Sequence, residues 1–216
     1  MLTAIDDAVR QAGIRVERIQ LEQLAMYADE LLKWNIKINL TAITERKAVA
    51  AKHIVDALFF AQRVESAERV LDVGSGAGIP AIPLKIMRPE IEVVSVDSVA
   101  KKIMFQRHAA RSLGLTGFEV LHARVEELSV TGIKPFDVIV SRAFSNLSRF
   151  VILVSSLLAT GGRIVAMKGP ALKAELDQAD ELLAQLGYEI RSENNYVLPY
   201  GAGQRSLLTI TMRNNF

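Results

Sequence analysis

The chain has 216 residues, half of them hydrophobic, and its 26 Lys and Arg against 24 Asp and Glu leave a formal net charge of +2. That length suits one α/β domain with a small appendage and buries roughly 70% of the unfolded surface, so no staple is required. The lack of cysteine excludes disulfides and thiolate metal centres, and the small charge, with a pI near 8.9, permits a nucleic-acid partner without arguing for one.

Along the chain, Met1–Asp7 lacks the basic-then-apolar order of a signal peptide. Residues 3–12 and 17–38 predict two helices broken around Gly13. The second carries Ile19, Leu21, Leu24, Tyr27, Leu31 and Leu32 at helical spacing. Trp34 reads as a core aromatic and Asn39–Thr41 as a cap for the next helix, near 45–64. That helix carries His53 and Asp56 three apart, hence on one face. Such a pair is a structural hydrogen bond more often than a catalytic dyad, and both readings stand at this point.

From residue 69 strands and helices alternate, the signature of a parallel sheet covered on both faces. Strands are predicted at 69–73, 92–97, 118–122, 136–141, 162–168, 188–197 and 205–212. Helices are predicted at 79–88, 99–113, 146–159 and 171–186, with Gly161–Gly162 and Gly187 as stops. The last two strands should pair antiparallel at the sheet edge. The expected architecture is a doubly wound, mostly parallel seven-stranded α/β sheet. An N-terminal helical extension (1–45) would pack on the domain formed by residues 46–216. The apolar run Phe150–Ala159 is too short to span a bilayer, so a cytoplasmic protein with no membrane partner is expected.

The chain is organised around Val70-Leu71-Asp72-Val73-Gly74-Ser75-Gly76-Ala77-Gly78-Ile79-Pro80: a buried strand, a glycine turn, and a helix with proline in its first turn. Alternating glycines let a ligand lie on main-chain amides at the end of a first parallel strand. Ile79 breaks a dinucleotide fingerprint, which needs Gly or Ala there. The spacing D-x-G-x-G-x-G instead resembles the first motif of S-adenosylmethionine-dependent methyltransferases. Asp97 closes the next strand, where an acid can accept from ribose hydroxyls.

Loops after the strands share one rim. Ala123–Glu127 follows strand three and could wall an adenine ring, and Ser141-Arg142-Ala143-Phe144 follows strand four. Arginine beside a buried strand points to an anionic or planar partner, or else to an ion pair with a nearby acid. Without cysteine, carbon-five methylation of pyrimidines lacks its nucleophile. The Pro-Pro signature of exocyclic-amine methyltransferases is also absent. What remains is an acceptor already nucleophilic at neutral pH, as guanine N7 is, or one activated by a residue the sequence does not identify.

Across residues 20–170 the chain resembles the RsmG (GidB) methyltransferases of bacterial small-subunit ribosomal RNA. The likeness rests on Trp34-Asn35 with Asn39-Leu40-Thr41, His53-Ile54-x-Asp56, Asp72 to Pro80, and Asp97-Ser98 with Lys101-Lys102. It continues in Arg124-Val125-Glu126, Ser141-Arg142-Ala143 and Lys168-Gly169. Departures are Ala57 for a usual serine, Ala81 for a fourth glycine, and Gln106 for an apolar residue. The resemblance implies a class I, Rossmann-like methyltransferase that moves a methyl group from S-adenosyl-L-methionine to guanine N7 in a decoding-region loop of 16S rRNA. It would release S-adenosyl-L-homocysteine and form no covalent enzyme intermediate. Gly74, Ile79, Val125, Glu126 and Arg142 would line the cofactor site, joined by Asp72, Gly76, Gly78 and Asp97 from the residue reading. Arg142, His53 and Asp56 are the catalytic candidates. Lys101, Lys102, Arg107, Phe144 and Lys168 are the candidates for RNA contact, with Arg111 and Arg205 as possible additions. No metal is expected, and the chain is expected to act as a monomer on 16S rRNA or the small subunit. A ribose or small-molecule O-methyltransferase, or a non-catalytic RNA-binding module, are the alternatives.

Overall fold

The structure is a computed structural model and describes residues 1–142, 144, 146–169 and 172–213. Ala143, Pro170 and Ala171, which fall in predicted motifs and in the start of a predicted helix, lie outside the described residues. Seven strands form one sheet in the order β3-β2-β1-β4-β5-β7-β6. They are β1 (Arg69–Val73), β2 (Glu92–Asp97), β3 (Phe118–His122), β4 (Phe136–Ser141), β5 (Leu158–Lys168), β6 (Tyr188–Val197) and β7 (Gln204–Met212). The first five pair in parallel, and β7 inserts antiparallel between β5 and β6. Strand order reverses between β1 and β4, which opens a crevice at their carboxyl ends.

Helices α1 (Leu2–Gln11) and α2 (Arg18–Ile38) pack on one sheet face. Leu21, Leu24, Ala25, Ala28 and Leu31 recur at helical spacing and are buried in one apolar cluster with Ile54, Leu58, Ile79, Ile82 and Phe105. The α2 start is closed by the Gln20 side chain, which accepts from the Glu17 amide at 3.0 Å; Asn39 ends it in the left-handed region at φ 49°. The opposite face is covered by α8 (Leu147–Val154) and α9 (Leu172–Gln185), with Phe150, Val151 and Val154 buried against Leu71, Ile139 and Ile164. Helices α5 (Ala81–Met87), α6 (Ala100–Ser112) and the short α7 (Val125–Leu128) fill the remaining crossovers. No helix among the described residues is long and apolar enough to cross a membrane.

Four details differ from the sequence expectation. The helix near 45–64 is α3 (Arg46–Val49), a π-helical segment Ala50–Val55, and α4 (Asp56–Ala61). Its cap is not Asn39–Thr41 but Glu45, whose carboxylate accepts from the Lys47 and Ala48 amides at 2.9 and 2.6 Å. Asn39–Thr41 is instead folded onto Asn35, which accepts from the Leu40 and Thr41 amides and donates to the Thr41 carbonyl.

The helix after the glycine turn starts at Ala81, with Pro80 as its N-cap. The helix expected to reach 159 stops at Val154, and β5 begins at Leu158, paired with Phe136. Gly161–Gly162 therefore lie inside β5, at a register shift against β4, rather than at a helix stop. Gly161 has φ 79°, and a Cβ on Gly162 would lie 3.0 Å from two carbonyl oxygens, so the strand folds out there only because both residues are glycine.

Candidate cofactor site

The turn after β1 is a nest of main-chain bonds. Gly74 and Ser75 donate to the Val96 carbonyl at 2.9 and 3.2 Å, and Gly78 and Ile79 donate to the Ser75 carbonyl at 2.8 and 3.0 Å. Gly74, Gly76 and Gly78 all have positive φ (69°, 61° and 86°). The glycines have different surroundings. A Cβ on Gly76 would meet nothing within 4 Å, whereas one on Gly78 would sit 2.7 Å from Ile82 Cδ1. Gly76 thus leaves open space, and Gly78 lets the turn close on the helix.

Two side chains fix this loop. Asp97 accepts from the Gly76 amide and from the Val99 amide, each at 2.9 Å, with Lys102 Nζ 3.5 Å away. From behind, buried Gln106 donates to Ser75 Oγ and to the Gly76 carbonyl, both at 2.9 Å, and accepts from Ser95 Oγ at 2.5 Å. Sequence reasoning noted Gln106 only as a departure. Its signal was a polar amide among the buried positions of α6. Gln106→Leu is expected to take this partner from the Ser95 hydroxyl and the Gly76 carbonyl, with Ser75 Oγ keeping the Val96 carbonyl, and to lower stability by about 2 kcal/mol. Urea unfolding measures that, and the loop's hold on a nucleoside should weaken with it.

Beside the loop lies a cavity of about 480 Å³. Gly74, Asp97, Val125 and Glu126 line it, together with Lys102, Arg124, Phe144 and Arg149. Asp72, Gly76, Gly78, Ile79 and Arg142 are not among its lining residues. Phe144, expected to stack on RNA, borders this cavity and stacks on Phe150 at 4.8 Å. Lys168 is buried with its ammonium 2.6 Å from the Phe144 carbonyl, so it faces inward and not toward the rim. Arg107 donates to the Val120 carbonyl at 3.1 Å, and Lys101 is exposed.

The remaining candidates meet at the junction of β1, β4 and the π segment. Ser141 Oγ donates to the Val73 carbonyl at 2.7 Å, which seats Arg142 beside the glycine turn. Arg142 Nη2 donates to the Lys52 carbonyl at 3.2 Å and lies 3.6 Å from Asp56 Oδ2. Its Nη1 is closed off from solvent and has no hydrogen-bond partner among the described residues. Asp72 is likewise half satisfied: Oδ2 accepts from the Ala81 amide at 3.1 Å, and buried Oδ1 has no partner among the described residues. Burial pushes the Asp72 carboxyl up to about 7, against the pull of the Ala81 amide and of Arg142.

His53 and Asp56 do not bond to each other among the described residues. His53 Nε2 sits 2.8 Å from Thr41 Oγ1, and Nδ1 lies 3.2 Å from the Lys52 carbonyl. A carbonyl only accepts, so Nδ1 carries the proton and Nε2 takes the threonine hydroxyl. Burial first, then the Arg142 charge, pulls His53 down to about 4, and the ring is neutral. Asp56 Oδ1 accepts from the Tyr196 hydroxyl at 2.6 Å. Tyr27 is wholly buried and donates to the Ala77 carbonyl at 2.8 Å, pinning α2 to the glycine turn. Neither tyrosine was singled out as a site residue by the sequence.

A family model described as GidB, rRNA small subunit methyltransferase G, matches residues 20–199. The chain belongs to this family. A GidB relative, the ribosomal RNA small subunit methyltransferase G of Geobacter sp. strain M21, is 46% identical over 93% of this chain and 92% of its own length. Among solved structures, a ribosomal protein L11 methylase from Lactobacillus delbrueckii subsp. bulgaricus matches with TM-score 0.59 at 18% identity. That match covers 80% of this chain and 81% of the other. A methyltransferase from Thiobacillus denitrificans, solved with S-adenosylhomocysteine, matches with TM-score 0.56 at 14% identity, over 74% and 91% of the two chains. At such identities these two show the fold alone, and the GidB chain shares the seven-stranded methyltransferase architecture.

Proposed function

We propose that the chain transfers a methyl group from S-adenosyl-L-methionine to N7 of a guanosine in small-subunit 16S rRNA. Two buried atoms carry this conclusion: Asp72 Oδ1, an acceptor without a donor, and Arg142 Nη1, a donor without an acceptor, among the described residues. An α-amino acid supplies one partner for each, its ammonium for Asp72 and its carboxylate for Arg142. The cavity bordered by Gly74, Asp97, Val125 and Glu126 would take the adenosine half. When bound, S-adenosylmethionine supplies an electrophilic methyl group on a sulfonium. Asp97 Oδ1 would accept from the ribose, since it has a second lone pair beyond the Val99 amide, whereas Oδ2 already takes the Gly76 amide and Lys102. Val125 and Glu126 would wall the base.

N7 as acceptor is supported by where the bases of the site are committed. Both His53 nitrogens and both Asp56 oxygens already face protein partners, so neither group is placed to remove a proton. Guanine N7 has a lone pair and no proton to lose, and it needs alignment only, which can contribute roughly 7–11 kcal/mol. Arg142 then works as an anchor, with His53 and Asp56 as its supports. The rRNA substrate is supported by the family's name. RNA phosphates would meet exposed Lys101, Arg124 and Arg149 around the cavity. The proposed setting is cytoplasmic, with a monomer whose helices 1–45 brace a methyltransferase domain over 46–216. The test is methyl transfer from labelled cofactor to methyl-free small ribosomal subunits, followed by nucleoside analysis. Label at guanosine N7 is expected, and label on a ribose oxygen or none at all would overturn the proposal.

The Asp72 carboxyl gives a pH signature. In the free protein it titrates at about 7, and an adjacent ammonium would hold it ionised. Acid protonates Asp72 and removes the partner of the ammonium, so S-adenosylhomocysteine should bind more weakly as pH falls. The loss approaches tenfold per unit below pH 7, or up to about a hundredfold near pH 5. His53 stays neutral across that window, being held at about 4. Calorimetric titrations over this range measure it, and Asp72→Asn should flatten the profile.

A further inference from the structure

Asp56 sits at the first position of α4, directly after the π segment, and is only 2% exposed. Its two oxygens have different neighbours. Oδ1 takes the Tyr196 hydroxyl at 2.6 Å, and Oδ2 faces Arg142 Nη2 at 3.6 Å, an ion-pair distance too long for a hydrogen bond. Left alone, a buried carboxylate and a guanidinium settle into a two-pronged pair that occupies both terminal nitrogens. Here only Nη2 is engaged, by Asp56 and the Lys52 carbonyl, and Nη1 is left over.

We propose that Tyr196 is a positioning residue of the cofactor site: by occupying Asp56 Oδ1, its hydroxyl prevents a two-pronged Asp56–Arg142 pair and keeps Arg142 Nη1 available for the cofactor's carboxylate. This rests on the role given to Arg142 above. The strand that carries Tyr196 is the sheet edge β6, remote in sequence from the nucleotide rim, and its Tyr196 hydroxyl links the C-terminal hairpin to the site. The ring itself is held independently, 4.2 Å from Phe59 and packed against the apolar clusters under the sheet. Removing the hydroxyl therefore leaves the ring seated. Burial and the neighbouring carboxylate push the phenol well above its ordinary range, so it remains a donor.

The experiment is calorimetric titration of the full chain with two ligands. S-adenosylhomocysteine carries the amino-acid end, and 5′-methylthioadenosine has the same nucleoside and sulfur without it. Tyr196→Phe is expected to weaken S-adenosylhomocysteine about tenfold and to leave methylthioadenosine within twofold of the parent. Combined with Arg142→Ala it should add no further loss. Equal weakening of both ligands, or of neither, overturns the proposal. Should Tyr196→Phe fail to fold by circular dichroism, Tyr196→Leu, which also removes the hydroxyl and leaves Asp56 and Arg142 intact, must show the same selective loss or the proposal falls. Arg142→Ala alone separates the two levels. If it does not weaken S-adenosylhomocysteine selectively, the role of Arg142 has failed; if it does and Tyr196→Phe does not, only the positioning has failed.

Discussion

Arg142→Ala is expected to reduce methyl transfer to methyl-free small subunits by about a hundredfold to a thousandfold, or roughly 3–4 kcal/mol, on the scale of losing one preorganised donor. Its guanidinium is fixed from three sides: by the Lys52 carbonyl, by Asp56, and by the strand end that Ser141 ties to Val73. The alanine variant loses the donor that Nη1 would offer the methionine carboxylate. It also loses the positive charge that restrains the Asp72 carboxyl, so Asp72 should shift further upward and hold an ammonium less well. The fold should survive, because Asp56 keeps Tyr196 as a partner and the Arg142 side chain is 26% exposed. Initial rates at saturating subunit, with near-UV circular dichroism as control, measure both parts. Near-normal turnover would remove Arg142 from the site.

The second large effect separates two glycines of one turn. Gly76→Val is expected to keep the fold, with about 1–2 kcal/mol lost to its positive φ. S-adenosylhomocysteine affinity should fall at least tenfold, because the new side chain enters space that no protein atom fills. Gly78→Val acts differently. Its Cβ would lie 2.7 Å from Ile82 Cδ1 and 2.9 Å from Cγ1, and Ile82 is fully buried, so the core around it must repack. With φ at 86° as well, about 3 kcal/mol or more of destabilisation is expected. Urea unfolding beside calorimetry reads the contrast. If Gly76→Val binds the nucleoside normally, the turn does not carry the ligand.

The two substitutions also show the limits of a sequence pattern. The spacing of Gly74, Gly76 and Gly78 marks a turn that needs positive φ, and all three have it. Which glycine leaves ligand space and which merely lets the helix approach depends on Ile82 and Gln106, whose positions the pattern does not contain. The His53–Asp56 spacing misleads in a similar way. It places both on one face of an α-helix, yet the backbone there winds as a π turn and sends each to a different partner.

What the sequence determined by itself was the succession of strands and helices, the antiparallel closing pair, and the family motifs, with Asp97 closing β2 beside the glycine turn. These follow from hydrophobic periodicity and from glycine's unique tolerance of positive φ, both of which act between near neighbours in the chain. The tertiary structure decided which way the long polar side chains point. Lys168 turns inward to Phe144, Gln106 braces the loop from behind, and Tyr196 reaches Asp56 across 140 residues. A long polar side chain has many rotamers of similar intrinsic energy, so its direction is set by whichever buried partner the fold brings within reach.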